Sequence, residues 1–161
     1  MTFIIHFKDG HRETYNKRIM VIAVDFDGTC VTHEFPNIGK DIGAVPVLKE
    51  LVEKGHKIIL YTMRSHPDKN NQGKTLSGET IANDTLQDAI DWFEKNGIPL
   101  WGINENPKQK EWTSSPKIFA NIYIDDAALG MPLKLDEDGH ISRPYVDWNR
   151  VSTLLKIKGV L

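Results

Sequence analysis

Only one cysteine, Cys30, occurs in the 161 residues, so no internal disulfide can form and a reducing, cytoplasmic setting is expected. Long hydrophobic runs are also missing. The longest, Ile19 to Val24, falls far short of the about 20 apolar residues a membrane span needs, so no membrane association is expected. The first ten residues lack a basic stretch followed by a long apolar one and a small-residue cleavage site, so secretion is not expected. Neither sign of charge dominates: 20 Lys+Arg stand against 22 Asp+Glu, for a net charge of −2. That balance argues against nucleic-acid binding by bulk charge and against an acidic disordered tail. There is no internal repeat and no low-complexity tract. What is present, 40% hydrophobic and 26% charged residues, describes one ordinary globular domain.

Along the chain, Phe3 to Phe7, a Lys8-Asp9-Gly10-His11 turn and a returning Arg12 to Tyr15 predict a hairpin at an edge of the sheet. Residues 1–18 are therefore expected to be an N-terminal extension packed on a core domain of residues 19–161. Ile19 to Phe26 is a β-branched apolar run suited to a strand buried on both faces. Val45, Leu48, Leu51 and Val52 have helical spacing, ended by Gly55, and Ile58 to Tyr61 is a second buried strand. Asp84-Thr85-Leu86-Gln87 fits a capping box ahead of a helix whose face is Leu86, Ala89, Ile90 and Phe93, closed by Gly97. Leu100 to Ile103 and Ile118 to Ile124 are further strands, and Val146 to Ile157 a last amphipathic helix. Strands alternating with helices predict a Rossmann-like three-layer α/β/α sandwich around a central parallel sheet. Ligands bind such sheets beyond the strand C-termini, so the polar residues ending the strands carry the functional question.

The first core strand ends Asp25-Phe26-Asp27-Gly28-Thr29. Positions i and i+2 of an extended chain share a face, so the two carboxylates converge and Gly28 lets the chain turn sharply. The last strand ends Asp125-Asp126, adding acids at the same edge. Crowded carboxylates raise one another's pKa unless a cation lies among them. Oxygen ligands with no nearby Cys or His point to a hard ion, Mg²⁺ first. The second strand ends at Thr62, and Lys117 precedes the last strand.

These elements together resemble the haloacid dehalogenase superfamily of phosphatases, from about Met20 onward. DxDGT matches its first motif, Thr62 in YTMRS its second, Lys117 its third and IYIDD its fourth. The stretch His33 to Lys40 resembles that of small members without a large cap domain. The resemblance implies a Mg²⁺-dependent phosphomonoesterase. Asp25 would be the nucleophile forming an aspartyl-phosphate, and Asp27 the acid–base that protonates the leaving alcohol and then activates water. The backbone carbonyl of Asp27, the Asp25 carboxylate, Asp125 and Asp126, directly or through water, would hold the metal. Thr62, the amides after it, and Lys117 would hold the phosphoryl oxygens.

Other assignments stay open. Lys108 and Lys110 compete with Lys117 for the phosphate-binding lysine. Arg64 could contact the substrate phosphate or pair elsewhere. His33 and Glu34, beside the nucleophile, and His66, past Thr62, could touch substrate or be solvated, while Cys30 reads as a small buried hydrophobe. About twenty polar residues separate Thr62 from Asp84, long for a connection in a compact domain, and predict a lid or small hairpin at about 65–83. The expected partner is a small phosphorylated substrate, acting on a monomer or homodimer. The competing readings are a non-catalytic phosphoacceptor module and a phosphotransferase of the same superfamily.

Overall fold

The fold, taken from a computed structural model, is described for residues 2–16, 18–67, 74–75, 77–135 and 143–161. Strands β1 (Thr2–His6) and β2 (Arg12–Asn16) form the expected hairpin. It is a separate two-stranded sheet and not an edge of the central one. The side chains of residues 2–5 and 13–16 lie outside the described ones, and the expected packing of this extension on the core falls there.

The core begins with β3 (Val21–Val24), a run of apolar residues with no turn former to interrupt it. Helix α1 (Ala44–Glu53) follows and buries Ala44, Leu48 and Leu51. Pro46 is tolerated there because the first turn of a helix needs no intrahelical N–H donor. After β4 (Lys57–Leu60) comes α2 (Thr85–Lys95), where the Asp84 side chain accepts from the Gln87 amide. Only half of the capping box forms: the Gln87 amide group donates to Asp91 at 2.7 Å, and Asp84 also binds His66. Strand β5 (Leu100–Ile103) falls where the sequence placed it.

Strand β6 is only Ile122–Ile124, shorter than the expected Ile118 to Ile124. Two buried amides capture the backbone upstream of it. Gln109 takes the Phe119 N–H on Oε1 and donates Nε2 to the carbonyls of Ser115 and Lys117, while Asn106 donates to the Phe119 carbonyl. Backbone groups satisfied by side chains are withdrawn from the ladder. Short strands β7 (Leu133–Lys134) and β8 (Tyr145–Val146) then pair antiparallel, and α3 (Trp148–Ile157) closes the chain. The helix starts later than expected because Asp147 caps it, accepting from the amides of Asn149 and Arg150.

The central sheet is parallel in the order β5-β4-β3-β6. This is an α/β, Rossmann-like arrangement. Ile22, Val24, Ile58, Leu60 and Ile124 form one continuous core with the buried faces of α1, α2 and α3. The opposite face, with Ala23 in register with Ile59 and Tyr123, has an irregular cover in which the Tyr123 hydroxyl donates to the Ile118 carbonyl. A single 3₁₀ turn at Gln109–Glu111 is its one helical element among the described residues. No helix among the described residues is long and apolar enough to cross a membrane.

Successive strands β3, β4 and β5 step in one direction, and β6 lands on the other side of β3. The crevice beyond the C-termini of β3 and β6 is therefore the switch point of the sheet, where α/β folds bind ligands.

Candidate active site

Asp25 leaves β3 with its amide donating to the Ile124 carbonyl at 3.0 Å, so the ends of β3 and β6 are fixed side by side. The chain then wraps tightly: the Phe26 carbonyl accepts from the amides of Thr29, Cys30 and Val31. Gly28 turns this loop at φ 79°, and a Cβ there would lie 2.0 Å from His33 Nε2. Both the left-handed backbone and the space exclude a side chain.

The rest of the protein holds this loop from several sides. Phe26 meets Trp92 and Phe93 of α2 with ring centroids 5.6 and 6.2 Å apart. The Val146 amide donates to the Gly28 carbonyl at 2.9 Å, and Trp148 Nε1 to the Thr29 carbonyl at 2.7 Å. Trp148 thus packs and anchors, as a core residue would.

Carboxylate oxygens of Asp25, Asp125 and Asp126 lie within 4.8 Å of one another. Thr29, fully buried, ties two of them together: its hydroxyl donates to Asp25 Oδ2 at 3.1 Å and accepts from the Asp126 amide at 3.0 Å. Burial pushes the Asp25 carboxyl up to about 7, and Asp125 and Asp126 push it the same way, against the Phe26 amide and the Thr29 hydroxyl. A group with that environment is poised to lose its proton when a cation arrives. Thr29 was not singled out in the sequence; the threonine of DGT was its one signal.

Asp27 points into a different set of contacts. Arg64 grips both of its oxygens, Nε to Oδ2 at 2.8 Å and Nη2 to Oδ1 at 2.7 Å. The remaining donors of Arg64 go to the carbonyls of Pro36, Asn37 and Thr85. Arg64 is 2% exposed, and its guanidinium lies over the rings of Phe26 and Phe35. All five N–H donors are committed. The expected contact of Arg64 with a phosphate is thus corrected: it holds the acid–base candidate, the 31–41 flap and the start of α2 together.

Thr62 lies two residues past the end of β4, its amide held by Asn104 Oδ1 at 2.8 Å and its hydroxyl accepting from the Arg64 amide at 3.2 Å. The amides of Asp27 and Met63 have no acceptor among the described residues. Lys117 is exposed and makes no ion pair among the described residues, and neither does Lys108; Lys110 lies 3.8 Å from Glu105. The structure therefore brings the acids and Thr62 to one edge and leaves Lys117 outside their ion pairs.

His33, expected beside the nucleophile, also corrects the expectation that no histidine lies near the clustered acids. Its Nε2 is 3.1 Å from Asp126 Oδ2, with its side chain 11% exposed. Glu34 accepts from the Thr32 hydroxyl at 3.1 Å, within the flap. His66 is taken up by Asp84, Nδ1 lying 2.8 Å from Oδ2; the Gln87 amide and then His66 hold that carboxyl below its usual range. Cys30 is fully buried, its thiol donating to the Asp25 carbonyl, and burial, then Asp25 and Asp27, push its pKa up. It is a small core residue and not a reactive thiol. Of the expected lid at about 65–83, residues 68–73 and 76 lie outside the described ones, and Lys74 pairs with Thr80 in an antiparallel bridge.

No family model and no curated protein matches the chain. Among solved structures it is similar to that of a conserved protein from Bacteroides thetaiotaomicron. The two are 29% identical, with a TM-score of 0.62 over 88% of this chain and 93% of the other.

Proposed function

We propose that the protein is a Mg²⁺-dependent phosphomonoesterase of the haloacid dehalogenase type, working through an aspartyl-phosphate on Asp25. The observation that carries this reading is the meeting of Asp25, Asp125 and Asp126 at the switch point of the sheet, with Asp25 partly buried and raised to about 7. Three carboxylates with oxygens within 4.8 Å of one another, one of them destabilised as an anion, make a donor set suited to a hard divalent ion. Asp25, Asp125 and Asp126 would hold it, together with the Asp27 carbonyl. When bound, the ion would neutralise charge on the phosphoryl group and on the acids around it.

The chain's own residues supply the rest. Asp25 attacks phosphorus with one carboxylate oxygen, the ester oxygen leaves, and Asp25 carries the phosphoryl group. The open amides of Asp27 and Met63 and the Thr62 hydroxyl lie at the same strand ends and would donate to the phosphoryl oxygens. Asp27 would deliver a proton to the leaving oxygen, then take one from the water that cleaves the intermediate. For that, its carboxyl has to give up part of the Arg64 grip when substrate enters. Lys117 has no ion pair to these acids and takes no step in this mechanism.

The test is turnover of p-nitrophenyl phosphate with Mg²⁺ and with chelator, beside Asp25→Asn. The reading requires metal-dependent release of phosphate that the variant lacks. Metal-independent turnover, or full activity in the variant, would overturn it. A phosphorylated protein that persists for hours without turnover would favour the phosphoacceptor module instead.

A further inference from the structure

We propose that His33 is a positioning residue for the metal site, its ring N–H orienting the Asp126 carboxylate toward a divalent ion. The inference rests on the metal-binding reading above and adds a residue to it. His33 stands on the flap that follows the DxDGT loop, and its ring lies over Gly28, where no side chain could share the space. Its Nε2 approaches Asp126 Oδ2 to 3.1 Å but is buried and makes no well-formed hydrogen bond within the protein. A buried imidazole nitrogen beside a carboxylate but without a well-aligned hydrogen bond is costly, and a ligand that reorients the carboxylate would relieve that cost.

Asp126 carries that carboxylate. Its amide is fixed by the Thr29 hydroxyl at 3.0 Å, and its Oδ1 has only a long 3.5 Å contact with the same hydroxyl, so the main chain is held more tightly than the carboxylate. If Asp126 gave one oxygen to an ion held with Asp25 and Asp125, its Oδ2 would be left for Nε2–H to donate to. Carboxylates that ligate metals are themselves hydrogen-bonded, and losing the outer partner weakens binding severely. His33 is not one of the three clustered acids and touches them through Asp126, which suits an outer role and not a direct one.

The experiment measures Mn²⁺ binding by the electron-spin signal of the free ion, with no substrate present. His33→Phe keeps a ring over Gly28 and removes the N–H; His33→Gln restores an N–H at about the position of Nε2. Affinity should fall about 10–100-fold in His33→Phe, by analogy with other outer partners, and return most of the way in His33→Gln. The melting temperatures of the metal-free proteins should stay close, which separates positioning from a merely structural role. Undiminished Mn²⁺ affinity in His33→Phe, or an equal loss in both variants, overturns this inference alone. Absence of Mn²⁺ and Mg²⁺ binding by the unaltered protein overturns the metal-binding reading and this inference with it.

Discussion

Asp25 should make the metal-free fold lose stability as pH rises, in the direction opposite to most carboxylates. Its carboxyl is raised from 3.8 to about 7 by burial first and by the neighbouring acids next. Below about pH 4 both the folded and the unfolded chain hold this proton, and its contribution is fully present. Between about 4 and 7 the folded state keeps a proton that the unfolded state has released, so stability falls as pH rises. Above about 7 the loss is complete, roughly 4 kcal/mol from this one group at 1.36 kcal/mol per pH unit. Asp25 is not fully enclosed, so the measured loss should lie somewhat below that figure. The assay is thermal unfolding from about pH 5 to 8 in chelator, comparing the unaltered protein with Asp25→Asn. The six histidines titrate in the same range but are common to both proteins, so the difference isolates Asp25. Asp25→Asn should gain about 2–3 kcal/mol on the unaltered protein across that window, or roughly 5–10 °C in melting temperature for a chain of this size. Mg²⁺ at about a hundred times its dissociation constant should then stabilise the unaltered protein by about 2.7 kcal/mol. Parallel pH profiles for the two proteins would refute the reasoning, because Asp25 would then titrate alike folded and unfolded.

Further consequences follow from the same contacts. Arg64→Met should cost about 3–5 kcal/mol by chemical denaturation, since it strands the Asp27 carboxylate and three carbonyls, while Arg64→Lys should cost less. A loss under about 1 kcal/mol for Arg64→Met would show that water replaces the grip without penalty. Gly28→Ala should displace His33 and strain the left-handed turn, for a loss of about 1–3 kcal/mol that calorimetry would report. Cys30 should react with a thiol reagent only at the rate of unfolding, because it is fully buried and raised in pKa; rapid labelling of the native protein would contradict that placement.

The strands and helices that the sequence revealed are those whose apolar spacing is regular. β3, β4, β5, α1 and α2 lie within a few residues of their expected places, because buried parallel strands and amphipathic helices write their period into the chain. The start of β6 was hidden because Gln109 and Asn106, some ten or more residues upstream, decide where the ladder begins. The pair β7 and β8, two residues each, is too short to leave a period. At the site, the meeting of Asp25, Asp125 and Asp126 could be read from strand ends, but the expected convergence of the Asp27 carboxylate with Asp25 is corrected, because Arg64 takes both of its oxygens. The role of Arg64 could not be read this way, because a buried arginine with five acceptors looks in sequence like any arginine near a threonine. His33 was separated from Asp126 by 93 positions, and only the wrapping of the DxDGT loop under the flap brings them into contact.

The central claim is a phosphoryl group carried on Asp25, and trapping that group tests it most directly. The protein is mixed with Mg²⁺ and a turning-over phosphomonoester, quenched, and reduced with borohydride, which converts an acyl phosphate on aspartate to homoserine. Peptide mass spectrometry should find homoserine at position 25 and unaltered aspartate at 27, 125 and 126. Turnover with Asp25 unmodified, or with the change at another of these acids, would contradict the account.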